Sequence, residues 1–133
     1  DATTAAEHGD ADGPIHFVLG DLNGTSAIDP VVARAETVLA RRGWRGRRNV
    51  PYAGGFTTRR HGRPQDGIHA LQLELSRALY MDERRLRAAP GFKATANALA
   101  ELVAGLGAYG LAQAGDRKRR GAPRPLDGAA PPG

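Results

Sequence analysis

Glu74 lies in the run His69-Ala70-Leu71-Gln72-Leu73-Glu74-Leu75, a carboxylate with leucine on either side and Gln72 two positions before it. A charge in such a setting is costly unless it is paired or faces a wet cleft. Two roles fit. One is a structural ion pair with Arg77 or an arginine of the preceding segment. The other is a general base that activates water with help from a metal or a nearby guanidinium. A second cluster is Arg59, Arg60, His61 and Arg63, four basic side chains within five residues of the polar stretch 57–67. The paired N–H donors of arginine suit a substrate carboxylate. The same stretch also reads as a solvated loop. Just before it, Gly54-Gly55 either let the backbone approach a ligand or form an ordinary turn. His61 and His69 are eight positions apart, which matches no metal-ligand spacing, so a structural His69 is the simpler expectation. His8 and His16 have no site context. The sequence holds neither a phosphate-binding glycine motif nor a G-x-S-x-G nucleophile turn.

These side chains need a scaffold, and the apolar pattern predicts one. Ile15-His16-Phe17-Val18-Leu19 is an apolar run closed by Gly20-Asp21, the pattern of a buried strand. Asp29-Pro30 predicts a helix start, and Val31, Ala35, Val38 and Leu39 recur at helical spacing up to Gly43, which gives a helix over 30–42. The stretch 44–50 is expected to be an edge strand because Arg45, Arg47 and Arg48 keep it half wet. The stretch 57–67 is expected to be a loop that carries function. In 69–75 the leucines alternate with Ala70, Gln72 and Glu74, which puts Leu71, Leu73 and Leu75 on one strand face and the polar pair on the other. Asp82-Glu83 is read as the cap of a short helical turn. Phe92, Ala96, Leu99, Leu102, Val103 and Leu106 predict a helix over 92–106, with Gly105 and Gly107 marking its end. Strand, helix, strand, loop, strand, helix is the order of a layered α/β sheet. The expected division is a loop or disordered start at 1–13, an α/β portion at 14–110 and a disordered Arg/Pro/Gly-rich tail at 111–133. The acidic start without methionine is expected to lie within a longer protein.

Composition narrows the function classes. The chain has 133 residues and 14.0 kDa, the size of one domain or part of one. No apolar run reaches the ~18 residues needed to span a bilayer, and residues 1–13 do not read as a signal peptide. Zero cysteines remove disulfide frameworks, thiolate metal sites and cysteine nucleophiles, and fit a reducing, cytoplasmic setting. The net charge is +5, and five basic against two acidic residues from Asp116 onward place +3 of it in the tail. Aromatic residues are 5%, too few for a base-stacking platform, so nucleic acid is not the expected partner.

Leu19-Gly20-Asp21, Gly24-Thr25-Ser26, the run from Pro51-Tyr52-Ala53-Gly54-Gly55-Phe56-Thr57-Thr58 to Arg59, Gly62-Arg63-Pro64, the run from Gly67-Ile68-His69 to Leu75, and Arg77-Ala78-Leu79-Tyr80-Met81 together resemble the N-formylglutamate amidohydrolase (deformylase) family, over about 14–106. The resemblance implies an α/β fold with a layered mixed sheet of the phosphorylase/hydrolase, zinc-carboxypeptidase-like type, of which this chain is the C-terminal portion. It also implies hydrolysis of N-formyl-L-glutamate to formate and L-glutamate in bacterial histidine breakdown. By that resemblance Glu74 is the catalytic base. Arg59 and Arg63 hold the substrate carboxylates, Tyr52, Gly54, Gly55, Thr57 and Gln72 line the pocket, and His69 orients Glu74 or the metal shell. The implied cofactor is a divalent metal, zinc being expected, with its ligands upstream of residue 1 and the isolated portion inactive. The partner is a small molecule, not a membrane, and the oligomeric state is unspecified. Two departures stand out. Arg60-His61 replaces the family's usual His-Tyr, and Asp21-Leu22-Asn23-Gly24 departs from its usual Asp-Arg form. The first leaves open an amidohydrolase for another N-acyl amino acid. The Arg-rich loop and tail leave open a basic module that binds nucleic acid or another polyanion.

Overall fold

The computed structural model describes residues 13–121. Its elements run β1 (Phe17–Gly20), α1 (Asp29–Ala40), β2 (Gly46–Arg48), α2 (Phe56–His61), β3 (Gln72–Leu75), β4 (Met81–Asp82), β5 (Arg87–Ala88) and α3 (Phe92–Gly121). The expected start at 1–13 and the end of the tail, 122–133, lie outside the described residues except for Gly13.

The sheet has the order β2-β1-β3. β1 pairs parallel with β2 and antiparallel with β3, so the sheet is mixed. β1 is buried along its whole length, as a central strand of apolar residues must be. β2 is the half-exposed edge that its arginines predict. Val31, Val32, Ala35, Val38 and Leu39 of α1 pack with Phe17, Leu19 and Leu102, and Leu71, just before β3, closes the cluster with Leu73 and Leu75 of β3. Full burial of side chains such as Leu19 and Leu39 contributes about 1.5–3 kcal/mol each. On the surface, Arg42, in the turn after α1, pairs with Glu101 of α3. Arg48 of β2 holds both carboxylate oxygens of Glu36 at 2.6 Å. That bond above all, with a second to Asp29, raises the guanidinium further above its ordinary value.

Four local expectations are corrected. Ile28, not Asp29, is the N-cap of α1, and Asp29-Pro30 form its first turn. The stretch 57–67 is not a plain loop. It opens with α2 and continues with a single 3-10 turn, Pro64–Asp66, because Thr58 bonds Gly55 and starts the helix. Asp82-Glu83 lies at the bend of the β4–β5 hairpin rather than capping a helix. α3 does not stop at its glycines but continues to Gly121, so 111–121 is helical rather than disordered. Its buried residues are Thr95, Ala98 and Leu102, while Phe92 and Val103 are exposed. Beyond Gly107 the helix is mostly solvated, and its last turn carries Lys118, Arg119 and Arg120, which complement the helix dipole.

Candidate active site

The parallel pair β1–β2 sends two loops off the same end of the sheet, the place where open α/β sheets hold ligands. The loop after β1 is tied down by a buried carboxylate. Asp21 Oδ1 accepts from Asn49 Nδ2 at 2.7 Å and from the Gly24 N–H at 2.9 Å, while the Asp21 N–H donates to Asn49 Oδ1 at 3.0 Å. Asn49 adopts φ 60°, a left-handed conformation that asparagine tolerates. The loop after β2 crosses directly over the end of β1. The Leu22 N–H donates to the Ala53 carbonyl at 2.7 Å, and a Cβ on Gly20 would stand 2.6 Å from that carbonyl. Only glycine permits so close an approach.

That crossing delivers the two adjacent glycines to β3. Gly54 takes φ 129°, and Gly55 caps α2, exchanging hydrogen bonds of 2.9 Å with the buried Thr58 hydroxyl. Gln72 pairs with Gly20, and Glu74 pairs with Val18. The Gln72 carboxamide oxygen faces Gly55, since a Cβ there would lie 3.5 Å from it. The other end of the same carboxamide, Nε2, donates to Glu74 Oε1 at 2.9 Å. The Gln72 carboxamide therefore sits beside Gly55 at one end and bonds Glu74 at the other. Glu74 is half-buried and also borders a cleft of about 400 Å³ formed with Tyr80, Phe92 and Leu99.

Other expected site residues fall elsewhere. No arginine lies within ion-pair distance of Glu74 among the described residues, so the structural ion pair is not made. Arg77 instead bonds Glu83 at 3.2 Å. Arg63 lies 3.4 Å from Asp66 and is half-exposed. Arg59 and Thr57 are exposed on α2, and Tyr52 is half-buried in the crossing loop. His69 is a correction. It lines clefts against α3 with Leu71, Leu106 and Tyr109, on the helix-covered side. His69 precedes β3, its Nδ1 has no hydrogen-bond partner, and no hydrogen bond joins its ring to Glu74 among the described residues, so it does not hold that carboxylate. Burial first, and the Arg117 charge second, lower the affinity of its ring for a proton.

Asn49 and Ser26 went unread in the sequence. Ser26 Oγ donates to the Ala70 carbonyl at 2.8 Å and docks the segment that leads into β3. An Asn directly after an edge strand is a turn signal, whereas the Gly24-Thr25-Ser26 motif gives no hint that Ser26 docks a segment 44 residues away.

No three His, Asp or Glu side chains come together among the described residues, so they do not fit a metal centre by themselves. No helix among them is long and apolar enough to cross a membrane.

A mixed sheet backed by helices defines an α/β fold. The solved N-formylglutamate amidohydrolase from Ralstonia eutropha JMP134 shares it, with a TM-score of 0.56 and 34% identity over 82% of this chain and 36% of that one. The family model for N-formylglutamate amidohydrolase matches residues 2–81, and the chain belongs to that family. The N-formylglutamate deformylase of Pseudomonas aeruginosa is 38% identical over 97 residues, 71% of this chain and 36% of that protein. That of Pseudomonas putida is 45% identical over 69 residues, 50% of this chain and 26% of that protein. The chain thus spans about a third of the length of these relatives or less.

Proposed function

We propose that the chain supplies the base-bearing part of an enzyme that hydrolyses N-formyl-L-glutamate to formate and L-glutamate. The observation that carries this reading is the Gln72–Glu74 pair beside Gly55, in a chain that belongs to this family. Glu74 takes a proton from water as the water oxygen bonds to the formyl carbon. The tetrahedral intermediate collapses when the protonated Glu74 returns that proton to the amide nitrogen and the C–N bond breaks. Gln72 holds one carboxylate oxygen, leaving the other to face the water. Arg59, exposed on α2, takes a substrate carboxylate. Arg63 is the weaker second donor because Asp66 already engages it.

The implied divalent metal, with zinc expected, draws its ligands from outside the described residues, and no step above passes through it. The zinc-carboxypeptidase-like layering, the bacterial origin and the cytoplasmic setting belong to the same reading. The absence of cysteine supports the last of these.

The test is a chimera in which residues 14–106 replace the matching segment of the Pseudomonas aeruginosa deformylase. A folded chimera is expected to release formate from N-formylglutamate, and Glu74→Gln to lower kcat by at least ~100-fold at an unchanged thermal midpoint. A folded chimera that releases no formate, or one whose Glu74→Gln variant keeps near-normal turnover, overturns the reading.

A further inference from the structure

Farther along α3 than the cleft that Glu74 borders, the segment 66–71 and the second half of the helix enclose two adjoining clefts. One, of about 320 Å³, has an apolar floor of Val31, Leu71 and Leu106. The other, of about 300 Å³, is bordered by Asp66, Gln113 and Arg117. Gly67, His69, Tyr109 and Gly110 line both, so the two form one elongated depression.

The polar groups are arranged unevenly along it. Arg117 Nη1 donates to the Asp66 carbonyl at 3.2 Å. Its guanidinium lies against the turn, where a Cβ on Gly67 would meet it at 2.1 Å. The remaining N–H donors of the guanidinium are left for a ligand, and no carboxylate pairs with it among the described residues. The nearest acid in sequence to that turn, Asp66, is turned to Arg63. Between guanidinium and apolar floor stands His69, whose Nδ1 is buried with no hydrogen-bond partner. An unsatisfied buried nitrogen of this kind calls for a reason, and burial keeps the ring uncharged near neutral pH.

The geometry points to this depression as a binding site for a small organic carboxylate with an apolar body, its carboxylate on Arg117 and its body over Val31, Leu71 and Leu106 beside Tyr109. A bare inorganic anion fills only the charged end. The inference does not rest on the proposed hydrolysis, because none of these side chains takes part in it.

Benzoate titrated into the ¹⁵N-labelled 133-residue chain tests the site, with benzamide as the neutral isostere and inorganic phosphate as competitor. Benzoate is expected to give saturable shifts at Gly67, His69 and 109–117, with benzamide binding at least tenfold more weakly. Arg117→Gln is expected to weaken benzoate at least tenfold. Gln113→Glu, which sets a negative charge at the mouth, is expected to do the same, so the test does not depend on one variant. Equal binding of benzoate and benzamide, wild-type affinity in both variants, absence of saturable shifts, or displacement of benzoate by equimolar phosphate would each overturn the site.

Discussion

Gln72 Nε2 lies 2.9 Å from Glu74 Oε1, so two side chains on the same strand face are joined by a single hydrogen bond. The bond fixes which carboxylate oxygen is occupied and leaves the other available. In the proposed hydrolysis Gln72 is a positioning residue. In the chimera, Gln72→Leu is expected to lower kcat about tenfold, the equivalent of one hydrogen bond of ~1.4 kcal/mol, with KM nearly unchanged. Steady-state kinetics alongside a thermal melt check this. A rise in KM with kcat intact would make Gln72 a substrate contact instead.

Arg59 and Arg63 differ in the structure although the sequence sets them in one cluster: Arg63 lies 3.4 Å from Asp66, whereas Arg59 is exposed on α2. Losing a charge-assisted bond to a carboxylate costs about 1.5–3 kcal/mol, or roughly 10- to 100-fold. Arg59→Ala is expected to raise KM for N-formylglutamate by that factor and to leave an uncharged N-formyl amide almost unaffected. Arg63→Ala is expected to change KM by less than ~3-fold, because Asp66 already partly neutralises it. Comparing the two substrates in both variants checks the division, and equal effects on both substrates would remove Arg59 from the role.

His69 gives the fold a dependence on pH. Its ring binds a proton less readily when folded, mainly through burial and then through Arg117. The unfolded chain therefore takes up the proton first as the pH falls through about 6.5. Stability from this residue is complete above that value, declines as the solution is acidified, and stops declining below the folded value. The melting temperature of wild type is expected to fall more between pH 7 and 5 than that of His69→Gln. Parallel curves for the two proteins would refute it.

The leucine alternation in 69–75 finds β3, but the strand covers only Gln72–Leu75 and the segment 69–71 leads into it; within the strand a period of two fixes the two faces. The apolar spacing of α1 is equally legible. The far end of α3 is not. Its glycines argue locally for a stop, and the contact that anchors Arg117 to the Asp66 carbonyl crosses 51 residues. α2 is hidden for a similar reason. Its apolar content is small, and it begins because Thr58 returns to Gly55, a bond that composition does not reveal. The Asp21–Asn49 pair joins residues 28 apart through side chains that look like ordinary turn formers.

β3 closes one side of the sheet, and among the described residues nothing extends the ladder past it. A row of outward N–H and C=O groups invites another molecule to zip on. Glu74 stands on that strand, and two copies paired antiparallel about Glu74 would bring like charges together, which opposes that register. The same carboxylate thus guards against self-association. Neutralising it for an enzymatic assay removes that guard, so a variant lacking the charge is to be compared at matched, low protein concentration, with light scattering recorded beside the rate.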